Sequence, residues 1–215
     1  MLTPRTSISP SRLRSDLYTF PSHDDDSQTP PPLAISVLAS LLDRAVARSR
    51  LLAASSADPS SMDARRRAFD SRRVLDMSIQ SFLERIFRYA RVAPPVFVVA
   101  YVYLDRLCHL NPGLRLSPWN VHQLTITSVV VASKFVEDRT YKNSYFAKVG
   151  GLTTKEMNSL ELHFLFLMRF KLQVSLSVFD SYCRHLEREV SFGGGYQIER
   201  SLRSVCAVEI FSGDD

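Results

Sequence analysis

The sequence predicts an all-α fold built from about five core helices, with one helix before them and one after. Apolar residues recur at three- and four-residue intervals through most of the chain between 33 and 189, which is the period of an α-helix. Glycine is scarce, with 7 residues in 215, and this disfavours a turn-rich β fold. Valine-rich stretches such as 129–131 lie inside capped runs of helical length, so they are also predicted to be helical.

Three segments flank the predicted core. Residues 1–32 are rich in Ser, Thr, Pro and Asp and are predicted to be a disordered leader, since they hold too little apolar surface to bury. Residues 33–75 are predicted to form an N-terminal helix, over 33–50, followed by a polar and basic linker. Residues 190–215 form a C-terminal tail for which no element is predicted.

The core with its following helix is predicted to span 76–189. Its first helix covers 79–90 on the spacing of its apolar residues, and its second covers 94–110 and begins with two prolines. The third helix is predicted to be capped by Ser117, to have Pro118 in its first position, and to extend for about 20 residues.

The remaining helices are marked by their end signals. A short helix over 143–149 is predicted to stop at two consecutive glycines. Residues 153–156 form a capping-box pattern that opens the next helix, which carries Glu161 and ends near Phe170. A last amphipathic helix covers 177–189.

No residue pattern in the chain indicates catalysis. The three cysteines are widely separated, no histidine stands beside an acid or a cysteine at a catalytic spacing, and no glycine-rich phosphate loop follows a strand. We therefore predict no enzyme activity, no cofactor, no metal site and no small-molecule substrate. Unpaired cysteines favour a reducing, intracellular compartment. The longest apolar run, 96–104, is too short for a membrane span, so no membrane partner is predicted.

Three stretches resemble the cyclin box, in the same order and at the same spacing. They are YVYLDRL at 101–107, LSPWNVHQLTITSVVVASKFVEDRTY at 116–141, and SYFAKVGGLTTKEMNSLELHFLFLMRFKL at 144–172. The resemblance covers about residues 34–203 and is strongest to the plant U-type cyclins, also called P-type, which are similar to fungal cyclins of phosphate signalling. It implies a single five-helix cyclin box with an extra N-terminal helix and a C-terminal helix.

The resemblance also implies a function and a partner. Cyclins of this kind bind a cyclin-dependent protein kinase that carries a PSTAIRE-type helix and activate it by positioning its αC helix, in cell-cycle or nutrient-linked control. Residence in the nucleus, the cytoplasm or both is implied as well. The kinase-facing positions are a lysine in an ASKF-type motif, a glutamate at the start of the fifth helix, and five apolar residues: Lys134, Glu161, Val131, Phe135, Leu165, Phe170 and Leu172.

Simpler explanations exist for the same residues. Each of the five apolar side chains is also consistent with ordinary core packing, and Lys134 with Glu161 is also consistent with an internal salt bridge. The first helix, MSIQSFLERIFRY at 77–89, departs from the MRxxLxxW segment of cell-cycle cyclins. It lacks the tryptophan and the arginine that braces the acid of the DR motif, here Asp105. Docking of RxL-type substrates is therefore not implied, and Asp105 has no identified partner.

Two other function classes compete with kinase binding. The net charge of +5 is concentrated in arginines 65–67 and 72–73, and such a run suits either a solvated linker or a cyclin-fold module that binds nucleic acid. Only that run supports nucleic acid as a partner, so none is predicted. An all-α enzyme with an unrecognised site is the third class, and the lack of a nucleophile paired with a base argues against it.

Overall fold

The computed structural model describes residues 10–18, 30–53, 67–71, 73–138 and 141–190, and these residues form eight helices and no strand. The helices are α1 (Pro10–Tyr18), α2 (Leu33–Ala53), α3 (Ile79–Ala90), α4 (Pro94–Leu110), α5 (Val121–Val136), α6 (Asn143–Gly150), α7 (Thr154–Leu167) and α8 (Leu176–Glu189). The predicted all-α fold is confirmed for this part of the chain. Over the same residues, no helix has both the length and the hydropathy that crossing a membrane requires.

Helix α4 lies at the centre of the domain. Most of its residues are buried, α5 packs along it, and α1, α2 and α8 contact its other sides. Pro94 occupies its first position, where a missing backbone N–H costs no hydrogen bond. Asn111 ends the helix, because its backbone N–H and its side-chain Nδ2 both donate to the carbonyl of Leu107, at 3.0 and 2.8 Å. The predicted bounds of this helix, 94–110, are confirmed.

The helix α3 also has its predicted bounds. Its apolar stripe is buried against α2 and α6, and the side-chain oxygen of Ser78 caps it by accepting from the backbone N–H of Ser81 at 3.0 Å. Arg91 follows the helix in the left-handed conformation, with φ of 50°. The cap and the left-handed residue fix both ends of α3.

The helix α1 was not predicted, since it lies within the leader 1–32 that we expected to be disordered. Leu13 and Leu17, one helical turn apart, are both fully buried, and α1 packs against α2, α4 and α8. The prediction was wrong for residues 10–18 because two leucines at this spacing supply an apolar face that the polar composition conceals. The other residues before 30 lie outside the described part of the chain.

Polar contacts hold α1 in place. The Nε of Arg14 donates to Glu187 on α8 at 2.8 Å, and the same guanidinium lies 3.4 Å from Asp180. The backbone N–H of Leu33, the first residue of α2, donates to the carboxylate of Asp16 at 2.9 Å. Hydrogen bonds and ion pairs therefore join α1 to α8 and to the first residue of α2.

The helix α5 begins at Val121, and the predicted start with Pro118 in the first position was wrong. The side chain of Asn120 accepts from the backbone N–H of Ser117 at 2.8 Å and donates to the carbonyl of Arg115 at 3.0 Å. These two bonds close a turn over 118–120 ahead of the helix. The sequence pattern for an N-cap does not show whether the side chain of Ser117 or that of Asn120 makes the hydrogen bonds at the start of the helix.

The predicted polar linker contains a core residue. Phe69 is fully buried and its ring meets that of Phe164 on α7 edge to face, with centroids 6.4 Å apart. Residues 67–71 therefore lie against the domain, which differs from the expectation of a solvated linker. Three arginines of the basic run, at 65, 66 and 72, lie outside the described residues, as do residues 54–64.

The last two helices differ slightly from their predicted bounds. The helix α7 ends at Leu167 and is followed by a turn over 168–170, whereas we predicted a helix to about Phe170. The helix α8 begins one residue before the predicted 177, after the cap Ser175. Nothing is described beyond Val190, so the predicted tail lies almost wholly outside the structure.

Candidate functional site

Two charged side chains that are 27 residues apart meet at the surface between α5 and α7. Lys134 lies in the last turn of α5, Glu161 lies in the second turn of α7, and the two helices pack together. The ammonium of Lys134 donates to both carboxylate oxygens of Glu161, at 2.6 and 2.8 Å. The side chains are 35% and 17% exposed, so the pair lies at the edge of the core. The salt bridge thus forms within the free chain.

The chain places Glu161 through a tight reversal between α6 and α7. Gly151 adopts the left-handed conformation, with φ of 68°, which an L-residue with a Cβ adopts only at a cost. The predicted capping box then opens α7: Thr153 Oγ1 accepts from the backbone N–H of Glu156 at 3.2 Å. In return, Glu156 accepts from the backbone N–H of Thr153 at 2.8 Å. This pattern fixes the first residue of α7, Thr154, and hence the position of Glu161 about two turns later.

A third side chain contacts Glu161, and the sequence analysis missed it. Asn143, the first residue of α6, donates from Nδ2 to Glu161 Oε2 at 2.5 Å and to Asn158 Oδ1 at 2.9 Å. An asparagine at the start of a helix is ordinarily interpreted as a local cap, so its contact with another helix carries no sequence signal of its own.

Exposed apolar side chains occur on the helices that carry the ion pair, α5 and α7, and in the turn after α7. Phe135 follows Lys134 directly and is 51% exposed, while Leu162 and Phe166 lie on the outer side of α7. Phe170 is 58% exposed, and its ring meets that of Phe166 edge to face, with centroids 5.4 Å apart. We call Phe135, Leu162, Phe166 and Phe170 the apolar surface. The spacing of four between 162, 166 and 170 was the signal that the sequence analysis did not use for Leu162 and Phe166.

The other predicted apolar residues lie deeper. Leu165 and Leu172 are half-buried and pack against the core, and Val131 is 3% exposed. Phe135 and Phe170 are therefore the two predicted apolar residues with most of their surface open, whereas Val131 supports α5 from within the core. For Val131, ordinary core packing is what the structure describes.

The turn that carries Phe170 has an unusual backbone. Arg169 and Phe170 are consecutive left-handed residues without glycine, with φ of 52° and 56°. Such conformations are costly for residues with a Cβ and persist only where the surroundings enforce them. Here Tyr103 Oη on α4 donates to the carbonyl of Leu172 at 2.7 Å, and Arg106 Nη1 donates to that of Lys171 at 2.5 Å. The central helix therefore holds the turn that presents Phe170.

The ion pair keeps some capacity for hydrogen bonds. An ammonium has three N–H donors and a carboxylate has about four acceptor positions. Lys134 uses two donors on Glu161, and Glu161 uses three acceptor positions on Lys134 and Asn143. Among the described residues this leaves one N–H donor on Lys134 and one acceptor position on Glu161. The donor matches a main-chain carbonyl, and the acceptor matches a main-chain N–H. The site therefore suits the backbone of a partner.

The described residues offer little for other chemistry. Within them, no three His, Cys, Asp or Glu side chains come together in a way that suits a metal ion. The two cysteines in this part of the chain, Cys108 and Cys183, are free, and burial raises the pKa of each thiol to about 11. Both thiols therefore stay protonated at neutral pH, which makes them poor nucleophiles.

Comparison with known proteins adds a family to this geometry. Residues 33–172 match the family model described as Cyclin. The chain is 60% identical over 205 residues to Cyclin-U2-1 of Arabidopsis thaliana, covering 95% of this chain and 89% of that protein. It is 58% identical over 205 residues to Cyclin-U2-2 of the same plant, covering 95% and 87%. It is 58% identical over 200 residues to Cyclin-P2-1 of Oryza sativa subsp. japonica, covering 92% and 91%.

Proposed function

Since the chain belongs to the cyclin family, and within it to the plant U-type (P-type) group, we propose that it binds a cyclin-dependent protein kinase and activates it. The observation that carries this proposal is the Lys134–Glu161 pair beside the apolar surface. A pair of charges with spare hydrogen-bond capacity, together with exposed aromatic rings, has the composition of a protein-binding surface.

The activation has a simple physical basis. A protein kinase holds the ATP phosphates through a lysine of strand β3 that pairs with a glutamate of the αC helix. A rigid surface that binds only the inward position of αC shifts the kinase toward that position by its difference in affinity for the two states. The regulatory subunit needs no reacting group for this, and we propose no enzyme activity, cofactor or small-molecule substrate.

Each part of the site has a role in this proposal. The free donor of Lys134 and the free acceptor of Glu161 bond the main chain of a PSTAIRE-type αC segment. Phe135, Phe166 and Phe170 bury their exposed rings against the apolar side of the same helix. A buried donor or acceptor that is left without a hydrogen bond is costly, so the spare donor of Lys134 and the spare acceptor of Glu161 also reject partners that offer no main-chain groups there.

The biological setting is proposed from the family alone. We place the kinase complex in cell-cycle or nutrient-linked control, in the nucleus, the cytoplasm or both. Imaging of a fluorescent fusion of the full chain tests the location, and a signal confined to a membrane compartment contradicts it. For the competing idea of nucleic-acid binding, the described residues offer no specific support, and three of the five arginines in the basic run lie outside them.

Capture of a kinase tests the proposal. The full chain, its Lys134→Ala, Glu161→Ala double variant and a Lys148→Ala control are each mixed with a cyclin-dependent kinase that has a PSTAIRE-type helix. Histone phosphorylation is then measured on the captured material. Lys148 is exposed on α6, so its variant removes a positive charge away from the ion pair.

The expected result is binding and activity for the parent and the control, with both reduced at least about tenfold in the double variant. Circular dichroism checks that the double variant keeps its helices. If the double variant binds as the parent does, the ion pair is not the contact. If the parent captures and activates no such kinase, the proposed function is overturned, and binding of labelled DNA at several salt concentrations becomes the next measurement.

A further inference from the structure

The amide of Asn143 contacts the ion pair from a third helix. Lys134 reaches Glu161 from α5, and Asn143 reaches it from the start of α6. Three separate helices therefore meet at one carboxylate. Glu161 Oε2 receives both Lys134 Nζ, at 2.8 Å, and Asn143 Nδ2, at 2.5 Å, whereas Oε1 receives Lys134 alone. Asn143 thus adds a second hydrogen bond to Oε2 of Glu161.

Hydrogen bonding fixes the orientation of this amide. Both N–H groups of Nδ2 are used, one on Glu161 and one on Asn158 Oδ1 at 2.9 Å. Rotating the amide by a half-turn would place its oxygen against two other oxygens. Glu161 and Asn158 thus fix the orientation of the Asn143 amide, with its nitrogen toward their oxygens.

The amide oxygen is left in an unfavourable place. Asn143 Oδ1 is buried and accepts no hydrogen bond from any described residue. A buried acceptor without a donor lowers stability, so folding alone gives no reason for an amide at this position. A side chain that is costly for the fold and directed at the ion pair is better explained by what it does to Glu161.

We infer that Asn143 is a positioning residue, which holds the Glu161 carboxylate against Lys134 in the orientation that the kinase contacts. This inference rests on the proposed function. Without the amide, only the long and flexible side chain of Lys134 holds the carboxylate, so the direction of the free acceptor is less fixed. Holding it before the partner arrives reduces the side-chain ordering that binding must otherwise supply.

Affinity for a PSTAIRE-type kinase, measured by calorimetry with the full chain, tests the inference. Asn143→Ala removes the donor, and Asn143→Asp replaces it by an acceptor of the same size that repels Glu161. The matched control is Asn158→Ala, which removes the other acceptor of the same amide and leaves the bond to Glu161. We expect the two Asn143 variants to weaken binding about five- to tenfold and the control to change it less than about twofold.

A double-mutant cycle separates positioning from general support of the fold. If Asn143 acts through Glu161, then Asn143→Ala changes the affinity by less than about twofold when Glu161→Gln is already present. An undiminished effect in that background overturns the inference, because the asparagine then acts on the fold at large. Thermal melting of each variant supplies the folded fraction, and Asn143→Asp covers the case in which the alanine variant does not fold.

The outcomes also separate this inference from the proposed function. If Lys134→Ala and Glu161→Gln both leave kinase affinity unchanged, the proposed contact fails and the inference fails with it. If those two changes weaken binding but neither Asn143 variant does, the proposed contact stands and only the positioning role is overturned.

Discussion

The hydroxyl of Tyr182 on α8 donates a hydrogen bond of 2.5 Å to the carboxylate of Asp105 on α4. The tyrosine ring also meets that of Tyr101 edge to face, with centroids 5.9 Å apart. In cell-cycle cyclins, as the resemblance implied, an arginine of the first box helix braces this acid. Here the first box helix lacks it, and the helix that follows the box supplies a neutral donor instead. The contact makes α8 part of the domain.

Replacing this tyrosine tests the contact. Tyr182→Phe keeps the ring and removes the donor, so Asp105 loses its bond to α8. We expect the free energy of unfolding to fall by about 1.5 kcal/mol, the lower end of the range for a hydrogen bond to a charged group, since Asp105 is partly exposed. Urea denaturation followed by circular dichroism measures it, with the exposed Tyr18→Phe as the control. A variant as stable as the parent contradicts the assignment.

Stability at alkaline pH depends on the same region. Burial, with a further contribution from Asp105, raises the pKa of Tyr101 to about 12 and that of Cys108 to about 11. The folded chain holds both protons more tightly than the unfolded chain does. Their contribution is therefore complete below the unfolded pKa values, about 10 and 9, and is lost as pH rises through the folded values.

We accordingly expect the free energy of unfolding to fall steadily between about pH 9 and pH 12. Urea denaturation at a series of pH values measures it. The Tyr101→Phe variant removes one titrating group and should lose less stability over the upper part of that range. A parent curve that is flat to pH 11 shows that these groups are not buried as described.

The buried Phe69 gives a third prediction. Phe69→Ala removes a fully buried ring that packs on Phe164, and we expect a loss of about 3–5 kcal/mol in the free energy of unfolding. The exposed Val74→Ala, a few residues further along the same segment, is the control and should change stability by less than about 0.5 kcal/mol. If the two variants are equally stable, residues 67–71 do not belong to the core.

The apolar surface gives a fourth prediction. Phe170→Ala removes an exposed ring from the turn after α7, and we expect kinase affinity to fall at least about tenfold. The free chain should lose less than about 1 kcal/mol, because more than half of the Phe170 side chain is already exposed to solvent. Leu51→Ala, at an exposed position on α2, is the matched control and should leave affinity unchanged. Equal affinities for the three proteins would remove Phe170 from the contact.

Sequence periodicity predicted the central helices well, for a physical reason. The residues of α3 and α4 repeat their apolar positions over three turns or more and have a cap or a proline at the start. In both helices the end signals and the apolar positions that pack against the core indicate the same helix, so the bounds 79–90 and 94–110 follow from the sequence. The resemblance to cyclins is likewise confirmed by the family match and by the plant relatives.

The sequence could not predict features that depend on distant contacts. The buried leucines of α1 are Leu13 and Leu17. They stabilise this helix only by packing against α2, α4 and α8, which come later in the chain. Similarly, an internal salt bridge between Lys134 and Glu161 was one of two interpretations of the sequence, and the packing of α5 on α7 is what brings the two side chains together. Asn143 is visible only once α6 is placed beside that pair.

The pairing of α1 with α8 affects how the protein is made. Arg14 and its partner Glu187 are 173 residues apart, so the first helix leaves the ribosome long before the helix that receives it. At about 5–20 residues per second, that delay is roughly ten to thirty-five seconds. During this interval part of the surface that covers Leu13 and Leu17 does not yet exist, and these leucines are open to chaperones. Completion of the domain therefore waits until α8 has been synthesised.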